Sequence, residues 1–166
     1  MSITSPSGLV ILVSQIQGRQ LRMYRSDHIA QGNLVMLRNR TNEVKYGIIS
    51  DPMFTDKDCR GGGLYNVITI MDSEKLLETA AITEGGDSGA PVMHRELMTT
   101  HRHVPEDVAV YGMATGIYTT YKQSGAIDKT WTVANRLCDV LQYWDIPTLP
   151  GYQGDDQEAT IFTRTD

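Results

Sequence analysis

The sequence predicts an all-β domain, an antiparallel barrel followed by one α-helix near the C-terminus. Short segments rich in Val, Ile, Thr and Tyr recur along the chain, and turn residues separate them at intervals of about 8–12 residues. Apolar residues at helical spacing stand out in one place, after residue 132. Many short strands with regular turns and one terminal helix are typical of β-barrels and sandwiches.

The N-terminal half contains the first predicted strands. Residues 9–13, Leu-Val-Ile-Leu-Val, indicate a buried strand, and an irregular strand is expected over residues 21–24. Residues 33–37 and 44–50 are predicted to form a hairpin. The asparagines of residues 39–42 favour its turn, because Asn tolerates positive φ.

The middle of the chain alternates loops with strands. Asp51 and Pro52 are expected to end the second hairpin strand, and residues 57–63, with three consecutive glycines, to form a loop. Period-two alternation over residues 65–70 predicts another strand. Residues 91–94 are expected to be short and extended.

The C-terminal part contains the longest predicted strand and the helix. Residues 108–121 indicate one or two strands bent at Gly112 and Gly116. A helical stripe follows, with Thr132 as its expected N-cap and Pro147 beyond its end. The stripe consists of Val133, Leu137, Leu141 and Trp144.

Composition limits the classes of function. The 166 residues suit one domain, and 15 Lys and Arg against 20 Asp and Glu give a net charge of −5, which argues against a nucleic-acid partner. No apolar run is long enough for a membrane span, and no signal peptide is apparent, so a cytoplasmic location is favoured unless the true N-terminus is missing. The two cysteines, Cys59 and Cys138, are expected to be free thiols.

The octapeptide Gly-Gly-Asp-Ser-Gly-Ala-Pro-Val at residues 85–92 is the motif that indicates chemistry. A serine hydroxyl needs a base to take its proton and donors to hold the oxyanion. Ser88 lies in a glycine-rich turn, so the backbone N–H groups of Gly86 and Ser88 can point at one spot. Asp87 can turn inward and fix the turn by pairing with a cation.

This octapeptide resembles the nucleophile motif of the trypsin/chymotrypsin family of serine peptidases. Three further stretches are similar to parts of that family's C-terminal barrel. Residues 35–41, with Gly47 following, resemble its first hairpin; residues 111–117 resemble the strand beside the specificity pocket; and residues 131–144 resemble the final strand and terminal helix. The resemblance covers about residues 30–146.

The resemblance implies a serine endopeptidase that needs no cofactor and no metal and acts on a peptide or protein substrate. It implies that Ser88 is the nucleophile and that the N–H groups of Gly86 and Ser88 form the oxyanion hole, with Asp87 and Gly89 supporting the turn.

The resemblance also implies a substrate pocket. Thr115 and Gly116 would flank the substrate backbone, and Ile82, six residues before the serine, would lie near the pocket base and favour an apolar side chain there.

The family's first barrel, which supplies the catalytic His and Asp, has no counterpart in this sequence. We therefore expect residues 1–29 to be an N-terminal segment, residues 30–146 a trypsin-like C-terminal barrel, and residues 147–166 a flexible acidic tail. Whether the chain is an enzyme stays open at this stage, and the chain alone is expected to be inactive. A missing N-terminal barrel or a homodimer partner would cover the face left open.

Three alternatives remain. The chain could be a pseudoprotease, a catalytically inactive module that binds protein. It could be a compact enzyme that uses His28 as base with Asp51. A polar stretch could bind a metal, although its spacing matches no zinc pattern; it contains His94, Glu96, His101, His103, Glu106 and Asp107.

Overall fold

A computed structural model describes residues 20–24, 29–59, 61–75, 77–95, 107–143 and 158–162. These residues form a mostly antiparallel β-structure with one short helix near its C-terminal end, which confirms the predicted all-β class. The elements are β1 (Gln20–Tyr24), β2 (Leu34–Arg38), β3 (Val44–Asp56), β4 (Leu64–Asp72), β5 (Pro91–His94), β6 (Asp107–Tyr121), β7 (Ile127–Arg136), α1 (Leu137–Tyr143) and β8 (Glu158–Phe162).

Six of the strands close into a barrel. The order is β5-β2-β3-β4-β7-β6, and β5 also pairs with β6, so the first and last of these strands meet. All six of these pairings are antiparallel. Strand β1 pairs in parallel with the start of β6, and β8 lies on the other side of β1. Closure leaves the six barrel strands with free edges only where they extend beyond their neighbours.

The β2–β3 hairpin has the predicted asparagine turn. Asn42 has φ of 68°, in the left-handed region that Asn tolerates. The side-chain oxygen of Asn39 accepts hydrogen bonds from the N–H of Thr41 at 3.1 Å and of Glu43 at 2.8 Å. Asn39 thus holds the turn with its side chain, at a position where a glycine would leave these two N–H groups without that acceptor.

Strand β3 continues past Asp51 and Pro52, so the prediction that it ends there was wrong. The pairing with β4 shifts register around this dipeptide, between Ile49 and Asp51 and again between Asp51 and Phe54. Proline has no N–H to donate, and an irregular stretch of the ladder accommodates it. The extra length carries β3 to Asp56 and extends the β3–β4 hairpin beyond the barrel.

The C-terminal helix is shorter than predicted. Val133 lies in strand β7, and helix α1 begins at Leu137 and ends at Tyr143. Thr132 is not an N-cap: it is fully buried in the strand, and its hydroxyl accepts the N–H of Ile82 at 3.0 Å. Pairing with β4 and β6 overrides the helical spacing over this stretch.

The barrel interior holds the core. Its fully buried large side chains come from β2 through β6 and from α1, which closes one side with Leu137. They are Tyr111, Leu37, Ile49, Ile68, Ile70, Leu137, Val35 and Val92. Gly47 of β3 lets this layer close, because a Cβ there would lie 2.6 Å from the side chain of Ile70.

The ends of the chain depart in part from the expected segments. Residues 158–162, expected in the acidic tail, form β8, which pairs with β1 over residues 20–24. Thr160, Ile161 and Phe162 of β8 and Tyr24 of β1 are residue types that favour strands. The strand predicted over residues 9–13 lies outside the described residues, as does Trp144. The three domain boundaries stay a prediction. None of the helical residues in the described ranges forms a segment long and apolar enough to cross a membrane.

A glycine substitution in β6 tests the close packing of the barrel. A Cβ on Gly112 would lie 2.1 Å from the backbone oxygen of Asn135 in β7, so Gly112→Ala has to push two paired strands apart. We expect it to lower the free energy of unfolding by about 2–3 kcal/mol in urea denaturation.

Gly116→Ala, four residues further along β6, is the matched control. A Cβ there meets no atom within 4 Å, and the change should stay within about 0.5 kcal/mol. Equal effects of the two substitutions would contradict this packing.

Candidate active site

Two consecutive β-turns present Ser88 at the surface. In the first, the N–H of Asp87 donates to the carbonyl of Glu84 at 3.2 Å; in the second, the N–H of Ala90 donates to the carbonyl of Asp87 at 3.1 Å. Gly86 and Gly89 occupy the third positions, with φ of 95° and 94°. This pattern matches type II turns, which need a glycine at that position. The glycines on either side of the Asp-Ser pair are therefore required by the backbone.

The second turn is attached to strand β6. The N–H of Gly89 donates to the carbonyl of Ala114 at 2.7 Å, and the N–H of Ala114 donates back to the carbonyl of Ala90 at 2.9 Å. This reciprocal pair fixes the position of the turn against the barrel wall. Ser88 is exposed, whereas Gly89 and Ala90 are buried.

The carboxylate of Asp87 holds the first turn from inside. Its side chain is 5% exposed, one oxygen accepts the N–H of Arg40 at 3.0 Å, and the other accepts the N–H of Glu84 at 2.9 Å. The sequence predicted an inward Asp87 paired with a cation; both recorded donors are backbone amides. The Arg40 side chain instead lies over Gly86, where a Cβ would be 3.1 Å from its Cδ.

The N–H groups of Gly86 and Ser88 are available as donors. Within the described residues, neither has a hydrogen-bond acceptor in the protein, although the amides of Asp87 and Gly89 beside them both do. Two unpaired amides on an exposed turn next to a serine hydroxyl are what an oxyanion requires. The Ser88 hydroxyl itself donates to the carbonyl of Thr115 at 3.3 Å.

Thr115 lies at a bulge that turns its backbone toward Ser88. The β6–β7 pairing passes from Ala114 with Ala134 to Gly116 with Val133, which leaves Thr115 as the extra residue. Thr115 and Gly116 are both exposed beside the serine, and the structure brings these three predicted site residues together.

The far edge of β6 is unpaired beyond this bulge. Strand β5 pairs with β6 only as far as Met113, and β1 only as far as Val110. From Thr115 to Tyr121, β6 pairs only with β7 among the described strands. Its other edge therefore offers backbone donors and acceptors beside Ser88.

Ile82 does not line this surface. Its side chain is 6% exposed and belongs to the core, where its Cδ1 lies 3.0 Å from the Cβ position of Gly47. The sequence predicted Ile82 at the base of a substrate pocket. The hydroxyl of Thr132 accepts the Ile82 N–H, and this bond draws the segment into the barrel.

A cleft of about 810 Å³ adjoins Thr115 and Gly116. It lies between the extended ends of the β3–β4 and β6–β7 hairpins, and Tyr118 connects its two walls. The Tyr118 hydroxyl donates to Asp56 at 2.5 Å, and the ring packs edge-on against Phe54 with centroids 4.9 Å apart.

The Tyr118–Asp56 hydrogen bond shifts the pKa of both groups. It is the main reason that the pKa of the Asp56 carboxyl lies below its usual value and that the pKa of the Tyr118 phenol lies above its own. Near neutral pH the pair is therefore a carboxylate that accepts a neutral phenol, and Asp56 carries a full negative charge into the cleft.

The alternative sites receive little support from the described residues. His94 is the described histidine; its ring stacks on Tyr111 with centroids 6.1 Å apart. His28, Glu96, His101, His103 and Glu106 lie outside the described residues. No group of three or more His, Cys, Asp or Glu side chains in the described part could hold a metal.

Asp51 and the two cysteines take ordinary roles. One oxygen of Asp51 accepts the N–H of Met53 at 2.8 Å, at the irregular stretch of β3. Cys59 and Cys138 are free and half-buried, as expected, and burial raises the pKa of the Cys138 thiol.

Sequence reasoning missed the contributions of Arg40, Asp56 and Tyr118. Nothing in the local sequence marks Arg40 as a partner of Asp87, although a buried carboxylate has to find donors somewhere in the chain. Asp56 and Tyr118 lie 62 positions apart, and nothing in either local pattern links them. The unusual length of the predicted strand over residues 108–121, with tyrosines near its end, was the one sequence feature that could have indicated an extended hairpin.

Replacing Asp87 tests whether its carboxylate fixes the turn. Asp87→Ala leaves the N–H groups of Arg40 and Glu84 without their acceptor in a buried place, and we expect a loss of about 2–4 kcal/mol in the free energy of unfolding. Ser88→Ala is the neighbouring control; it removes one exposed hydrogen bond and should cost less than about 1 kcal/mol. A smaller loss for Asp87→Ala than for Ser88→Ala would show that another contact holds the turn.

The Asp56 carboxyl offers a test of the cleft geometry. Tyr118→Phe removes the main cause of its lowered pKa, so the Asp56 pKa should rise toward the usual value when followed by carboxyl ¹³C NMR. Because the folded-state pKa is the lower one, the bond stabilises the fold above the unfolded pKa. This stabilisation is lost as pH falls through the folded-state pKa. Tyr65→Phe, on the exposed face of β4, should leave the Asp56 titration unchanged.

Two solved structures are similar to this chain. One is a glutamic-acid-specific serine protease described as using a histidine triad in substrate binding, with 14% identity, a TM-score of 0.44, and coverage of 79% of this chain and 49% of its own. The other is the apo MamO protease domain of Magnetospirillum magneticum, with 9% identity, a TM-score of 0.41, and coverage of 72% and 53%. The chain thus spans about half the length of each. No family model matches the chain. No curated protein matches it either.

Proposed function

We propose that this chain is the serine-bearing barrel of a chymotrypsin-like serine endopeptidase and that Ser88 is its nucleophile. The observation that carries the proposal is the exposed double turn around Ser88. The N–H groups of Gly86 and Ser88 lie on this turn, next to the serine hydroxyl, and have no acceptor among the described residues. Alternate N–H groups left without a protein acceptor on a tight turn beside a serine hydroxyl are the donors that an oxyanion hole uses.

The proposed reaction is acyl transfer. The Ser88 oxygen attacks a peptide carbonyl while a general base takes the hydroxyl proton, and the C=O becomes a tetrahedral oxyanion held by the amides of Gly86 and Ser88. Collapse breaks the C–N bond, and the protonated base gives its proton to the leaving amine. Water then attacks the acyl-enzyme by the same route and releases the acid and free Ser88.

The unpaired edge of β6 would orient the substrate. An extended peptide can add to this edge through backbone hydrogen bonds at Thr115, Gly116 and Ile117, as an additional strand. The bulge at Thr115 and its bond to Ser88 keep that edge next to the nucleophile. Binding the backbone in this way holds the scissile carbonyl near Ser88 without fixing the side-chain sequence.

The general base lies outside the described residues in this proposal. Among those residues Ser88 donates only to the Thr115 carbonyl, an acceptor that does not take a proton near neutral pH. A His and an Asp from a second barrel would complete the site, and the chain spans about half of the protease structures it resembles. Without a base, the reaction at Ser88 should be slower on the order of 10⁶-fold.

A binding module without catalysis is the second candidate. The Ser88–Thr115 hydrogen bond favours it, because the hydroxyl is already engaged and no described histidine bonds to it. The same β6 edge would then bind a peptide or a second copy of the chain without cleaving it. Exposed apolar side chains at the ends of the two hairpins, Met53, Tyr65, Ile117, Tyr121 and Ile127, would suit such a partner.

A fluorophosphonate probe distinguishes the candidates, since it labels only an activated serine. We expect Ser88 to be labelled only when a barrel that supplies the His and Asp is added to the chain, and Ser88→Ala to abolish labelling. Ser124→Ala, an exposed serine in the β6–β7 turn, is the control and should label normally.

Other results would assign the other functions. Labelling of the chain alone that His28→Ala abolishes would support the compact enzyme. Absence of labelling in every form, with a correctly folded barrel, would contradict the peptidase and leave the binding module.

A further inference from the structure

We propose that the cleft beside β6 is an acidic side-chain subsite, selecting extended peptides with Lys or Arg two to four residues before the bond placed at Ser88. The proposal rests on the proposed function and adds a substrate class to it. It depends on where the cleft lies along β6, on the charge of its walls, and on the aromatic surface between them.

The cleft begins at Thr115, the residue that accepts the Ser88 hydrogen bond, and follows the unpaired edge. Thr115, whose carbonyl is 3.3 Å from the Ser88 hydroxyl oxygen, forms one end of its lining, and Tyr118 and Tyr121 lie further along. A strand rises about 3.3 Å per residue, so Tyr118 lies roughly 10 Å beyond Thr115. In a peptide antiparallel to β6, the residues that reach Tyr118 precede the scissile bond by about three positions.

The wall opposite β6 carries negative charge. Asp56 and Asp58 both line the cleft, and none of its described lining residues is Lys or Arg. Lys57 lies between the two aspartates in sequence, but it is exposed and does not line the cleft. Successive residues of an extended chain point to opposite sides. The Lys57 side chain is therefore directed away from the cleft, which Asp56 and Asp58 line.

The two carboxylates differ in the hydrogen bonds that they accept. Asp56 accepts the Tyr118 hydroxyl on one oxygen and the Asp58 N–H, at 3.0 Å, on the other. The carboxylate of Asp58 is exposed and accepts no hydrogen bond within the described residues. The two hydrogen bonds therefore hold the Asp56 carboxylate, and its negative charge, in a fixed place on the cleft wall. The Asp58 carboxylate can pair with the cation of a bound peptide.

The rings of Tyr118 and Tyr121 supply the rest of the fit. Tyr121 is 65% exposed and lines the same cleft, next to a strand edge. The aliphatic stem of Lys or Arg packs on such rings while its charged end reaches a carboxylate. A Glu or Asp side chain at the same place would meet like charge, so the subsite would discriminate by repulsion as well as attraction.

Peptide binding tests the proposal without requiring catalysis. The full chain is titrated with three fluorescein-labelled hexapeptides of Ala and Val that differ at the fourth residue, which is Lys, norleucine or Glu. We expect Lys to bind about fivefold more tightly than norleucine and Glu to bind most weakly, by fluorescence polarisation at low salt. The preference should shrink at 0.5 M NaCl, because the pairs are solvent-exposed.

Matched variants assign the preference to the cleft. Asp58→Asn, alone and with Asp56→Asn, should bring Lys and norleucine within twofold of each other. Asparagine keeps the acceptor for Tyr118, and amide NMR spectra check that the fold is retained. Glu74→Gln removes an equal charge at an exposed position away from the cleft and should keep the fivefold difference.

The outcomes separate this proposal from the proposed function. Equal binding of all three peptides, no binding, or a Lys preference unaffected by Asp58→Asn and the double variant would each overturn the subsite. A cleft-dependent Lys preference with no fluorophosphonate labelling would support the subsite and reject the peptidase. Labelling with no charge preference would do the reverse.

Discussion

The buried carboxylate of Asp87 is the interaction on which the site depends. It accepts two backbone N–H groups from different segments, that of Arg40 in the β2–β3 turn and that of Glu84 in the turn before the serine. Burying a charge is costly unless it is hydrogen-bonded, so these donors hold the two segments together. The amides of Gly86 and Ser88 stay unpaired because the backbone between them is fixed by Asp87 rather than by a strand ladder.

Barrel closure explains why the free edge of β6 lies beside that turn. Strand β5 follows the serine turn and closes the barrel by pairing with both β2 and β6. It separates from β6 at Met113, and the bulge at Thr115 follows immediately. The same short connection from Ser88 to Pro91 thus places the serine at the point where β6 leaves the barrel wall. The position of Ser88 and the position of the open edge therefore have one structural cause.

The sequence predicts local features of this arrangement better than long-range ones. The short strand over residues 91–94 and the asparagine turn of the first hairpin were predicted correctly, because their residue types fit few other local conformations. The glycines on either side of the Asp87–Ser88 pair are likewise needed for positive φ. The helix start was wrong because pairing of β7 on both sides outweighs spacing at Val133. Ile82 was misplaced because a motif offset does not say which way a side chain points; a hydrogen bond to Thr132, fifty residues away, decides that.

The cleft shows how the extra length of two strands creates chemistry that neither has alone. Beyond the barrel, β3 reaches Asp56 and β6 reaches Tyr121, and the Tyr118–Asp56 bond with the Phe54 contact keeps these extensions at a fixed separation. The hydrogen bond also lowers the pKa of Asp56, so the contact that sets the shape of the cleft keeps its wall charged near neutral pH. Shape and charge are therefore coupled, and a substitution that opens the cleft also weakens its electrostatic preference.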